Sequence, residues 1–119
     1  MTEPSAGERD CLFCRIASGA AGVPLLADRD GVAAFRDIDP QAPTHVLVVP
    51  KRHHPDVAAL AAADPAVLAT LVLVGRQLAS EAGDGQFRLV FNTGASAGQS
   101  VFHAHGHVLA GRRMTWPPG

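Results

Sequence analysis

Gln99-Ser100-Val101-Phe102-His103-Ala104-His105-Gly106-His107-Val108-Leu109 carries three of the chain's six histidines at alternate positions. In a strand, side chains at i, i+2 and i+4 point to one face. The spacing predicts a strand over 99–109 with His103, His105 and His107 on one side and Ala104, Gly106 and Val108 on the other. A row of imidazoles is a poor core and a good place to handle protons, phosphate or metal.

The segment before this row is Asn92-Thr-Gly-Ala-Ser-Ala-Gly98. Such small residues let backbone N–H groups approach an anion. Gly94, Gly98 and the Ser100 hydroxyl, with the Asn92 amide, form a candidate anion cradle. Imidazoles beside an anion cradle point to phosphoryl chemistry. One ring could attack phosphorus while its neighbours donate to phosphate oxygens and to the leaving group.

Working outward, Gln86–Phe91 reads as a strand. Asp64-Pro65 starts a helix, with Asp as N-cap and Pro in the first turn, and Gly83 closes it. His53–Ala63 is ambiguous between loop and a helical turn. Thr44–Val49 is a β-branched run, read as a buried strand ended by Pro50. Two short extended segments, Val23–Ala27 and Val32–Phe35, flank a hairpin turn at Asp28-Arg29-Asp30-Gly31. Cys11–Ser18 reads as a short helix stopped by Gly19. Residues 1–10 read as a flexible tail and 11–119 as one domain, with Trp116 in the terminal segment. About five strands and one long helix predict an antiparallel α+β domain.

The 119 residues are 47% hydrophobic, with a net charge of −1. That is enough to bury one core, in a size range where a dimer interface would help. The charge gives no basis for bulk binding of nucleic acid. No apolar run is long enough for a membrane span, and no signal peptide is evident, so a cytoplasmic location is expected.

Cys11 and Cys14 form a Cys-x-x-Cys pair. In a reducing compartment such a pair reads as half of a metal site. Zinc needs about four ligands in a closed site, with His45 and His103 the best candidates to complete it. The alternative is two small thiols filling space. Leu12, Phe13, Phe35 and Ile38 could line a base pocket or could be plain core. Asp37 could accept two ribose hydroxyls or could be a turn residue. Lys51-Arg52-His53-His54-Pro55 reads as a solvated loop.

The chain resembles the histidine triad family, and within it the nucleotide-binding branch. The motif His-φ-His-φ-His-φ-φ, where φ is apolar, reads here His103-Ala104-His105-Gly106-His107-Val108-Leu109. Phe35-Arg36-Asp37-Ile38-Asp39-Pro40-Gln41-Ala42-Pro43-Thr44-His45, Val48-Val49-Pro50-Lys51, Gly98-Gln99-Ser100-Val101 and Trp116-Pro117-Pro118-Gly119 also look like that branch. Gly106 departs from the apolar pattern.

The resemblance implies a five-stranded antiparallel sheet with one long helix, in a homodimer with a continuous sheet. It implies hydrolysis of purine nucleoside 5′-phosphoramidates, as by an adenosine 5′-monophosphoramidase, through a nucleotidyl-histidine. His105 would be the nucleophile. His107, Ser100, Asn92, Gln99 and Gly98 would contact the phosphate or leaving group. His103 would orient His105 through a ring hydrogen bond. Asp37 would hold the ribose, and Leu12, Phe13, Phe35 and Ile38 the base. Structural zinc would lie on Cys11, Cys14, His45 and His103. Other forms of the family imply alternatives: a dinucleoside polyphosphate hydrolase, a nucleotidyltransferase, or a nucleotide-binding scaffold.

Overall fold

The computed structural model describes residues 10–119. The expected tail over 1–10 lies outside them, apart from Asp10. In chain order the elements are α1 (Leu12–Ala17), β1 (Ala27–Arg29), β2 (Val32–Arg36), β3 (Thr44–Pro50), α2 (Val57–Ala63), α3 (Pro65–Ala82), β4 (Arg88–Phe91) and β5 (Gly106–Ala110), with a 3₁₀ turn at Ala95–Ala97. The strands form one five-stranded sheet in the order β1-β2-β3-β5-β4. Every neighbouring pair is antiparallel, as the α+β reading expects. No helix among the described residues is long and apolar enough to cross a membrane.

The first hairpin closes on Asp30-Gly31 alone. Arg29 pairs with Val32, and φ is +52° at Asp30 and +82° at Gly31. A two-residue hairpin with positive φ at both central positions suits Asp-Gly. The expected strand at Val23–Ala27 is displaced to Ala27–Arg29. Asp64 caps α3 as its sequence predicts, its carboxylate accepting from the Val67 N–H at 3.1 Å. The ambiguous 53–63 segment resolves into a loop and α2, capped by Asp56 through the Ala59 N–H at 2.8 Å.

The centre of the sheet is buried on both faces. Val32, Ala34, Val46, Val48 and Val108 pack with Leu60 of α2 and with Leu71, Val74 and Leu78 of α3. Ala33, Phe35, Leu47 and Val49 face the other way, against Phe13, Ile16 and Ala17 of α1. Strands covered on both sides read as continuous apolar runs rather than alternations. That is the pattern of Val32–Phe35 and Val46–Val49.

The histidine strand is much shorter than the expected 99–109, since β5 begins only at Gly106. Its neighbours explain this. Gly106 pairs with Val48 on one side and with Phe91 on the other. Further upstream it would meet the end of β3 at Pro50, which has no N–H to donate, while β4 has already ended. His103 and His105 therefore precede the strand and only His107 lies in it.

Gly106 is explained by packing on the α3 face. A Cβ there would sit 2.9 Å from Leu89 Cδ1 and 3.0 Å from Phe91 Cε1. Gly106→Ala is expected to destabilise the fold by about 1–3 kcal/mol through overpacking. Combining it with Phe91→Leu should recover part of that loss. Urea midpoints of the two single variants and the double variant read this out, and strict additivity would refute the packing account.

Candidate functional site

The site is assembled on the α1 face by strand register. Leu47 pairs with His107, and His45 with Leu109, so His45 and His107 are near neighbours on one face. The Asp37 N–H donates to the His45 carbonyl at 3.0 Å, which extends the β2–β3 pairing and sets Asp37 opposite His45. The His45 Nε2 then lies 2.9 Å from His107 Nδ1 and 3.4 Å from Asp37 Oδ2.

Backbone groups decide which nitrogen of each ring carries the proton. The Gln41 N–H donates to His45 Nδ1 at 3.0 Å. The His45 proton is therefore on Nε2, which donates to His107 Nδ1. Nε2 is left as the protonated nitrogen of a neutral His107. His105 is arranged in the opposite sense. Its Nδ1 donates to the His103 carbonyl at 2.7 Å, leaving a lone pair on Nε2. The two rings lie 5.1 Å apart and both line one cavity of about 340 Å³. One offers an acceptor and the other a donor. Burial and the neighbouring His105 and His45 lower the pKa of His107, which favours its neutral form.

The same cavity is lined by Leu12, Phe13, Phe35, Asp37 and Ile38 at one part and by Asn92, Gly98 and Ser100 at another. Phe13 meets His105 edge to face at 5.0 Å and Phe35 at 5.4 Å. Phe13 and Phe35 are thus core and pocket wall together, while Ile38 is fully exposed. One carboxylate oxygen of Asp37 accepts from the Asp39 N–H at 2.8 Å, so the turn reading of Asp37 holds alongside its place in the cavity.

Gln99 does not line the cavity. It is buried, and its amide accepts from the Gly94 N–H at 2.8 Å and donates to the carbonyls of Pro55 at 2.7 Å and Val101 at 3.0 Å. It braces the loop rather than facing a ligand.

His103 is fully buried and turned away from this cavity. Its Nε2 donates to the Pro50 carbonyl at 2.8 Å. Desolvation on burial, the largest influence, lowers its pKa to about 4 even though the bond to Pro50 acts against it. The expected ring-to-ring hydrogen bond to His105 is replaced by one from the His103 main chain. With the proton on Nε2, the Nδ1 lone pair faces Cys11 Sγ at 3.3 Å and Cys14 Sγ at 3.4 Å. His53 Nδ1 lies 3.4 Å from Cys14 Sγ.

These four residues can hold a metal ion, their ligand atoms all lying within 4.8 Å of one another. A tetrahedral ion bonded at about 2.3 Å to sulfur and about 2.0 Å to nitrogen sets sulfur–nitrogen edges of about 3.5 Å. His45, expected as a ligand, is replaced by His53. His45 lies five residues before Pro50, about 17 Å along an extended strand, so it belongs to the other end of β3. The loop after β3, read as solvated, instead backs the histidine segment. Besides His53 and the Pro50 and Pro55 carbonyls, the His54 carbonyl accepts from the Ala104 N–H at 2.7 Å. Its only sequence signal was a pair of histidines between two prolines.

Asp37, His45 and His107 also bring ligand atoms within 4.8 Å. Metal binding there conflicts with the proton positions, because the Gln41 N–H on His45 Nδ1 requires a proton on Nε2. This trio is a hydrogen-bonded network.

Nitrogen-correlated NMR of the imidazoles should show His105 protonated at Nδ1 and His107 at Nε2 near neutral pH. The same tautomer in both rings would refute the assignment.

A family model described as the HIT domain matches residues 23–114. An uncharacterized HIT-like protein of Synechocystis is 43% identical over 111 residues, covering 92% of this chain and 97% of that protein. A HIT family hydrolase from Legionella pneumophila has a similar solved structure. It shows 43% identity and a TM-score of 0.84, covering 92% of this chain and 100% of that one. A Zn-bound histidine triad family protein from Mycobacterium smegmatis is similar at 30% identity and a TM-score of 0.77, covering 94% of this chain and 81% of that one.

Proposed function

Because the chain belongs to the HIT domain family, we propose that it is a nucleotide hydrolase that cleaves a purine nucleoside 5′-phosphoramidate to the nucleoside monophosphate. The observation that carries this reading is the His105 ring. Its Nδ1 is committed to the His103 carbonyl, and its Nε2 lone pair borders a cavity with an apolar part and an anion-suited part.

Nε2 of His105 attacks the α-phosphorus in line, forming a phosphorus–nitrogen bond as the bond to the leaving amine breaks. The Nε2–H of the neutral His107 donates a hydrogen bond to a phosphoryl oxygen, while the substrate's nitrogen, bound already protonated, takes the electrons of the broken bond and leaves as the neutral amine. Water then cleaves the nucleotidyl-histidine, releasing the monophosphate and restoring the neutral ring. Ser100, Asn92 and the backbone at Gly98 stabilise charge on the phosphoryl oxygens. Asp37 holds the ribose hydroxyls, and Leu12, Phe13, Phe35 and Ile38 enclose the base. His45 acts through His107 as a positioning residue. The reading includes a cytoplasmic homodimer with a continuous sheet.

Mixing the protein with adenosine 5′-phosphoramidate should release AMP. His105→Asn should lower kcat by several orders of magnitude, since the nucleophile is lost. A His105→Asn protein with near-full turnover would overturn the assignment. Turnover of a dinucleoside polyphosphate in preference to the phosphoramidate would move the substrate class to the family's other hydrolases.

We further propose that zinc occupies the Cys11, Cys14, His53 and His103 cluster. It supplies a structural cross-link there, and no chemical step passes through it. His53→Ala is expected to weaken zinc binding by about a hundredfold or more, since losing a direct ligand should cost at least as much as losing an outer-shell partner. His45→Ala should leave zinc affinity unchanged. Competition with a chromophoric chelator measures both, and the reverse pattern would restore His45 as the ligand.

A further inference from the structure

The thiol–imidazole cluster and the nucleotide cavity share two pieces of backbone. Leu12 and Phe13, which line the cavity, lie between Cys11 and Cys14, which belong to the cluster. On the other side, His103 presents its ring to the sulfurs and its carbonyl to His105 Nδ1. The four cluster residues are thus joined through their backbone to both the apolar wall and His105, and the Phe13 ring leans on His105.

The α1 helix has six residues. Isolated helices of that length do not persist in water, so its position depends on what ties it down. It is held by a small apolar cluster on the sheet and by the cysteines at its start. The opposite face of the sheet is covered independently by α2 and α3. Loss of the cross-link can therefore release α1 and the 99–105 segment without dissolving the main core.

From this geometry, and resting on the nucleotide and zinc readings above, we propose that a metal ion in the Cys11–Cys14–His53–His103 cluster is a clip that assembles the nucleotide pocket, so that metal and nucleotide bind with positive cooperativity. The ion fixes the spacing between the Leu12–Phe13 wall and the His103 carbonyl, and these set the width of the base slot and the aim of His105. A bound nucleotide wedges against both surfaces. By linkage, it must then tighten the metal by the factor with which the metal tightens it.

The test uses the full chain, zinc and AMP. Zinc affinity is measured by competition with a chelator, with and without saturating AMP, and AMP affinity by calorimetry on zinc-loaded and stripped protein. The expected result is a reciprocal change of at least about fivefold in each, the lower end of ordinary coupling. The stripped protein should keep its far-UV circular dichroism while the His105 Nδ1–H resonance broadens or is lost. Unchanged affinities, with both ligands shown to bind, would overturn the coupling. Global unfolding of the stripped protein would also overturn it, because the linkage would then run through the whole fold. Failure of the loaded protein to bind AMP removes the nucleotide reading and the coupling with it. Failure to bind zinc removes the metal reading and the coupling.

Discussion

The hydrogen bond from His103 Nε2 to the Pro50 carbonyl, 2.8 Å long in a fully buried environment, is the constraint on which the site depends. A buried imidazole must satisfy its N–H or lose that much in desolvation, and burial keeps the ring neutral. Once the proton is committed to Pro50, the other nitrogen can only present a lone pair, and it does so to two sulfurs. The ring is then fixed, its main chain is fixed with it, and the carbonyl stands where His105 can donate to it. Pro50 suits this role doubly. It ends β3 because it lacks an N–H, and its carbonyl is thereby released from further strand pairing.

Backbone groups also set the chemistry of the neighbouring rings. His105 and His107 are the same residue two positions apart, yet they present opposite functions to one cavity. The difference comes from the His103 carbonyl behind the first and the His45 ring behind the second. His45 is itself set by the Gln41 N–H in the turn between β2 and β3. Strand register supplies this relay, because Asp37, just past the end of β2, lies opposite His45 of β3, and His107 of β5 is the diagonal neighbour of His45 on the same face. A one-residue slip of β5 would turn His107 toward α3 and abolish both the network and the cavity.

Much of this was legible in the sequence, and the reasons differ by residue. The long helix announced itself through Asp64-Pro65 and its apolar spacing. The central strands did so through β-branched runs, and the cavity through the His105, Ser100 and Asp37 motifs. The start of β5 was misplaced because alternation along 99–109 is a local signal, whereas strand length is set by whether neighbours remain to pair with. The thiol–imidazole cluster was half legible. Cys11 and Cys14 are joined by local spacing, but choosing between His45 and His53 requires knowing which end of β3 meets α1. The substitution of a main-chain carbonyl for the expected His103 ring contact is similar. Sequence shows which side chains exist and says little about which backbone atom will satisfy them. Gly106 looked like a departure from its motif until Leu89 and Phe91 on the neighbouring strand supplied the missing bulk.

The two faces of the sheet divide the work unequally. On the α3 face, an eighteen-residue helix and α2 cover the valines of β2, β3 and β5, which form the larger of the two apolar clusters. On the other face, a six-residue helix covers only part of the same strands, and the uncovered remainder, beside β5, is the cavity. A longer helix there would fill the space a ligand needs. A short one leaves it open and rests on the sheet through only three buried side chains, Phe13, Ile16 and Ala17. In the proposed metal site, the cysteines at the start of α1 resolve that conflict. They anchor the helix from its end, where Cys11 also accepts from the Cys14 N–H at 3.3 Å, and leave its apolar side chains facing the cavity. The thiol–imidazole cluster therefore belongs next to His105 and His107 for a physical reason, because the opening that forms the cavity also removes packing from its wall.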